Sequence, residues 1–127
     1  MDHKFRIHYT REEAEALVPE LREWLSELAE TRSELSKLEN RLEQLLSAGQ
    51  DMGGDLANGW VKTVANMRKV MMEFQRREIQ IKDLERGLID FPALIGEREV
   101  FLCWEKDEDT IEHWHDLDTG YEGRERL

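Results

Sequence analysis

The sequence is poor in most of the features that announce a function. It holds one cysteine, so no intrachain disulfide is possible, which fits a reducing cytosol. Two prolines leave long stretches free to be helical. No apolar run approaches a membrane span, and the opening MDHKFRIHYT is polar and charged, unlike the apolar heart of a secretory leader. These absences lead us to expect a cytoplasmic chain with no membrane partner. Positive charge is scarce too: 18 Lys and Arg face 29 Asp and Glu, a net charge of −11. Such a chain repels phosphates, which argues against nucleic acid.

Charge and helical periodicity are abundant. Charged residues make up 37% of the 127, a level usual for long solvent-washed helices. The length suits a single domain over residues 1–127 with a real core. Residues 10–48 carry 5 basic and 10 acidic side chains, residues 60–86 carry 7 and 4, and residues 87–127 carry 4 and 12. An acidic helix beside a more basic one accounts for the first two blocks. The basic face of residues 62–86 is the one place where an acidic partner such as nucleic acid would fit, against the overall sign of the chain.

Strict alternation in KFRIHY predicts a strand over residues 4–9, with Phe5, Ile7 and Tyr9 inward and His8 on the solvated face. TREE, from Thr10, is a capping box that opens a helix over 10–48. Leu21, Trp24, Leu28, Thr31, Leu35, Leu38, Leu42 and Leu45 then alternate steps of three and four, a heptad seam broken only by Thr31. Pro19 lies within the pattern, where it removes a backbone bond and predicts a kink.

Residues 49–59 contain the one glycine-rich break, read as a turn between helices because no phosphate-loop pattern is present. A second helix over 60–77 follows, with Trp60, Val64, Met67, Met71 and Phe74 as its seam. The first helix outruns the second, so its seam has leucines to spare. Beyond Arg77 the period changes to that of strands, giving a small sheet over 79–115 in which Pro92 ends a strand. A glycine-punctuated tail covers 116–127. The expected class is α+β: a long antiparallel, coiled-coil-like helical hairpin carrying a small antiparallel sheet built from the N-terminal strand and the last third of the chain.

Soft ligands gather in FLCWEKDEDTIEHWH, residues 101–115. On a strand His113 and His115 point to one face, with Trp114 on the other. Cys103 and Asp90, from neighbouring strands, would complete an N, S and O set suited to zinc or another divalent transition metal. Register decides it. With Cys103 opposite Ile111, the thiol shares a face with both histidines; with Trp104 opposite Ile111, they face Leu102 and Val100 instead. The bland alternative is a small buried cysteine and a hydrogen-bonded core histidine, and two ligands at this spacing without a CxxC or HExxH weigh toward it. Nearby Glu105, Asp107 and Glu108 disfavour a thiolate catalyst. Asp90, inside LIDF, calls for an ion-pair partner. Arg98 and Arg124 are the obvious ones, with Trp104 and Trp114 helping to dock the tail.

The stretch GLIDFPALIGEREVFLCWEKDEDTIEHWHDLDTGYEGR resembles the closing signature of a bacterial family known as domain of unknown function 2203. The signature falls on Gly87–Pro92, on Val100 with Leu102–Trp104, on Glu108, on Trp114 and His115, and on Gly120 with Gly123 and Arg124. The opening strand followed by TREEAEALVPEL is similar to the family's start, so the resemblance covers nearly the whole chain. Glu97 is an insertion relative to the pattern, Asp107 stands where it has glycine, and His113 lies outside it. The resemblance implies a fold and these signature residues, and no activity.

Two functional readings therefore compete. The first is a non-enzymatic, self-associating interaction module, a homodimer held by Leu21, Trp24, Leu28, Leu35 and Leu38. The second is a small metal-binding protein or metalloenzyme centred on His115 with Cys103, His113 and Asp90. Nucleic-acid binding through the second helix stands third.

Overall fold

The computed structural model describes residues 2–50 and 53–127. Helix α1 spans Arg11–Ser47 and α2 spans Gly54–Arg76. Strands β1 Gln80–Asp83, β2 Leu88–Ile95, β3 Arg98–Glu105, β4 His113–Asp116 and β5 Glu125–Arg126 follow, with a 3-10 turn at Tyr121–Gly123 before the last. The fold is α+β. No helix among the described residues is long and apolar enough to cross a membrane.

The capping box forms as its chemistry dictates. The Glu13 N–H donates to Thr10 Oγ1 at 3.1 Å, and the Glu13 carboxylate accepts the Thr10 N–H at 3.0 Å. Pro19 lies inside α1 without ending it. The first helix follows the heptad seam closely. Leu21, Leu25 and Leu28 are buried, and Thr31, Leu35, Leu38, Leu42 and Leu45 are half-buried. The second departs from the expected seam: Thr63 and Val70 are buried while Met71 is 45% exposed. Starting from Trp60, steps of three and four reach Thr63, Met67, Val70 and Phe74, so helical geometry prefers a threonine to the greasier neighbour. α2 begins at Gly54, earlier than the expected residue 60, because Leu56 already belongs to the packed face. The predicted turn therefore narrows, and its residues 51 and 52 lie outside the described residues.

The chain divides into two compact units, Ser26–Met72 and the remainder, residues up to Leu25 together with Glu73–Leu127. Within Ser26–Met72 the two helical segments approach closely, with Leu38 Cδ2 set 3.8 Å from where a Cβ on Gly59 would stand. The other unit carries the sheet. Its five strands are antiparallel and lie in chain order, a simple meander. Ile89, Phe91, Ala93, Val100, Leu102 and Trp104 fill one face at 3% exposure or less, with Tyr9 edge-on to Phe91 and Arg22 over Trp104.

Three expectations about the sheet are corrected. Residues 4–9 form no strand, because carboxylates rather than a neighbouring strand take their amides. Lys4 and Phe5 N–H donate to Glu99, and Arg6 and Ile7 N–H donate to Glu78. One backbone bond, from Tyr9 N–H to Pro92 O at 2.7 Å, ties this segment to the sheet. Pro92 does not end its strand: β2 runs on to Ile95, with Pro92 opposite Phe101. β1 reaches only as far as Asp90, so the proline sits on a locally open edge where its missing N–H costs no ladder bond. Lastly, the tail is not merely a tail. Glu125 and Arg126 add β5 beside β4.

Candidate functional site

Register settles the geometry of the soft ligands. Cys103 pairs with Asp90 on one side and His113 on the other, and Phe101 pairs with His115. Directly opposed residues share a face, so Asp90, Cys103, His113 and His115 all project to the same side of the sheet. The parity is that of the register that puts the thiol on the face of the histidines, although Cys103 meets His113 rather than Ile111.

Three of the four expected ligands converge. One donor atom from each of Asp90, Cys103 and His115 lies within 4.8 Å of the other two. All three residues are 1% exposed or less. His115 is held at both nitrogens. Nδ1 lies 2.7 Å from the Asp116 carbonyl oxygen, which can only accept, so Nδ1 carries hydrogen. Nε2 then faces Asp90 Oδ2 at 2.9 Å, and this bridge holds a single proton between ring and carboxyl. The ring packs on Phe101, itself against Phe5, with centroids 5.5 and 5.4 Å apart.

Asp90 Oδ1 is buried with no hydrogen-bond partner. Such an atom loses its hydration, although His115, Lys82 and the Cys103 thiol each favour the charged form of the carboxyl as a whole. Burial accordingly holds the Asp90 carboxyl above its ordinary range, against the opposing pull of His115. Burial, reinforced by the Asp90 carboxylate, pushes the Cys103 thiol up to about 12. The thiol is therefore neutral, and a thiolate nucleophile finds no support here.

The fourth expected ligand stays out. His113 Nδ1 accepts from the Arg124 guanidinium and lies 3.4 Å from Glu108. Arg124 also pairs with Glu108 and stacks on Tyr121, so the tail is docked through Glu108 and not through Asp90. The expected Asp90–Arg98 and Asp90–Arg124 ion pairs are corrected as well. Arg98 pairs with Asp116 and lies over Trp114. Its partner on β2 is Ile95, five residues from Asp90, or roughly 17 Å along a strand. The ion-pair partner of Asp90 is His115 instead. Trp104 donates its indole N–H to the Glu108 carbonyl at 2.9 Å, while Trp114 is half-buried.

The seam residues expected to hold a dimer divide. Leu21 and Leu28 are already buried within the chain, and Trp24 meets Phe74 edge-on beneath Arg77. Leu35 and Leu38 remain half-exposed.

A group that the sequence reading missed lies on the N-terminal segment. His8, expected in solvent, places Nε2 2.7 Å from Glu99 Oε2, and His3 joins them within 4.8 Å. No local pattern flags a contact between residues 91 positions apart.

A family model described as "Uncharacterized conserved protein (DUF2203)" matches residues 7–127. No curated protein and no solved structure matches the chain.

Proposed function

Starting from a chain that belongs to the uncharacterized conserved protein family DUF2203, a premise that carries no activity, we propose that this protein binds one divalent transition ion at Asp90, Cys103 and His115. The orphaned Asp90 Oδ1 carries the reading. A nitrogen, a sulfur and a carboxylate stand within one ion's reach, and the unpartnered oxygen is a further donor from the same carboxylate. The mixed set suits zinc or a similar borderline ion. The Nδ1–H bond to the Asp116 carbonyl supplies the outer contact that fixes a ligating imidazole and points Nε2 inward.

Charge balance favours the exchange. Without an ion, the group carries one proton on the thiol and one in the His115–Asp90 bridge. An ion displaces both, leaving thiolate, carboxylate and neutral ring around a dication. The net charge of the buried site is unchanged, so no uncompensated charge is left in the interior. Burial leaves no open position for substrate, and the role that fits is structural: the ion staples β2, β3 and β4 together.

Elemental analysis of protein purified without chelator tests this. The reading predicts close to one equivalent of metal, lost in His115→Ala, and a melting temperature that falls on chelation. Metal-free protein whose melting temperature chelator leaves unchanged would overturn it.

A second reading, self-association, rests on the unit Ser26–Met72, which leaves Leu46, Val61, Met71 and Met72 between 45% and 65% exposed. A second copy of the chain is the partner we infer, through these residues with Leu35 and Leu38. Light scattering behind a sizing column decides: a dimer mass supports it and a monomer at tens of micromolar removes it.

A further inference from the structure

We propose that His3, His8 and Glu99 form a second divalent-cation site, accessible from solvent, that clamps the N-terminal segment to β3. The site shares no residue with the buried group, and the proposal does not depend on that group's binding a metal. One ligand atom from each of the three residues lies within 4.8 Å of the others. His8 Nε2 is 2.7 Å from Glu99 Oε2, and the His3 ring meets the His8 ring edge-on with centroids 5.1 Å apart. Two imidazoles and a carboxylate are an accepted donor set for zinc, and imidazole also suits copper and nickel.

The carboxylate is held in place before any ion arrives. Oε1 accepts the Lys4 N–H at 2.7 Å and Oε2 the Phe5 N–H at 3.0 Å. Glu99 lies near the start of β3, and Lys4 and Phe5 sit between the two histidines in sequence. The amide bonds therefore fold the segment so that both rings return to the same carboxylate. Desolvation opposes ionisation of Glu99, but the bonds from His8 and from the Lys4 and Phe5 amides outweigh it and keep the carboxyl below its ordinary range. The ligand is anionic at neutral pH.

Access distinguishes this group from the buried one. His3 is exposed, and His8 and Glu99 are half-buried. A hollow of about 460 Å³ opens beside them, lined by Asp2, His3, Ile95, Glu97, Arg98 and Glu99. The hollow leaves coordination positions free for water or a small ligand. Its acidic residues outnumber Arg98, whose guanidinium is already engaged by Asp116, so the local field favours a cation. On binding, the ion takes the place of the proton between His8 Nε2 and Glu99 Oε2.

Zinc titration of the full chain, followed through the histidine imidazole resonances, tests the proposal. The His3 and His8 signals should shift together at submillimolar zinc. His3→Ala, a change at an exposed position, should weaken that response roughly tenfold or more while leaving the signals of His115 as they are in the parent protein. His3 and His8 resonances that stay put up to millimolar zinc would overturn the site, as would an affinity that His3→Ala leaves unchanged. Glu99→Gln adds a check through the carboxylate, and should weaken zinc with the fold retained by circular dichroism.

Discussion

His115 Nε2 stands 2.9 Å from Asp90 Oδ2, and both side chains are 1% exposed. Removing one partner strands the other in the interior, at about 3–5 kcal/mol. Asp90→Ala and His115→Ala should each lower the unfolding free energy of metal-free protein by that order in urea titrations. Replacing both at once with leucine should cost clearly less than the sum of the single changes, because neither polar group is then left alone. Additive losses would show that the two side chains do not act as a pair.

The same pair predicts a dependence on pH. The Asp90 carboxyl is raised above its ordinary value of 3.8, chiefly by burial. A group whose folded pKa is raised contributes stability fully below its unfolded value, and loses it as pH rises through the folded one. In metal-free protein, wild type should therefore hold its largest advantage over Asp90→Asn below pH 3.8, and that advantage should shrink as pH rises above it. A gap that widens with pH has the wrong sign for this account.

Cys103 should be inert while the protein is folded. With the thiol of metal-free protein pushed up to about 12 and the side chain fully buried, neither a free thiolate nor reagent access is available at neutral pH. Labelling with iodoacetamide should track global unfolding in urea. Rapid labelling of native protein would place the thiol at the surface.

At the start of α1, Thr10 Oγ1 accepts the Glu13 N–H. Thr10→Ala should cost about 1 kcal/mol of unfolding free energy, and Thr10→Ser should recover most of it. An alanine variant as stable as wild type would mean that the cap contributes nothing.

How much of this was readable depends on whether a feature is local. The leucines of α1 repeat every three or four residues, and their burial follows that repeat from Leu21 to Leu28. In α2 Met71 points out because its neighbour Val70 occupies the seam instead. Composition cannot choose between adjacent apolar residues. Pro92 misled for a related reason: its tolerance inside β2 depends on β1 stopping short, a fact about another strand. β5 is written in Glu125 and Arg126, which carry no strand signal and are placed by pairing with β4. Within the candidate site, Asp90, Cys103 and His115 were legible as residue types, but their convergence hangs on one register. His113 failed as a ligand because Arg124, eleven residues on, claims its ring. The His3–His8–Glu99 group joins the two ends of a long chain segment and left no trace in any short motif.

Cobalt substitution tests the buried site most directly. Cobalt(II) bound beside Cys103 should give an intense near-ultraviolet thiolate-to-metal band at one equivalent. Cys103→Ala should abolish that band, and His3→Ala should leave it intact. Cobalt that binds without such a band, or a band that survives Cys103→Ala, would contradict the account.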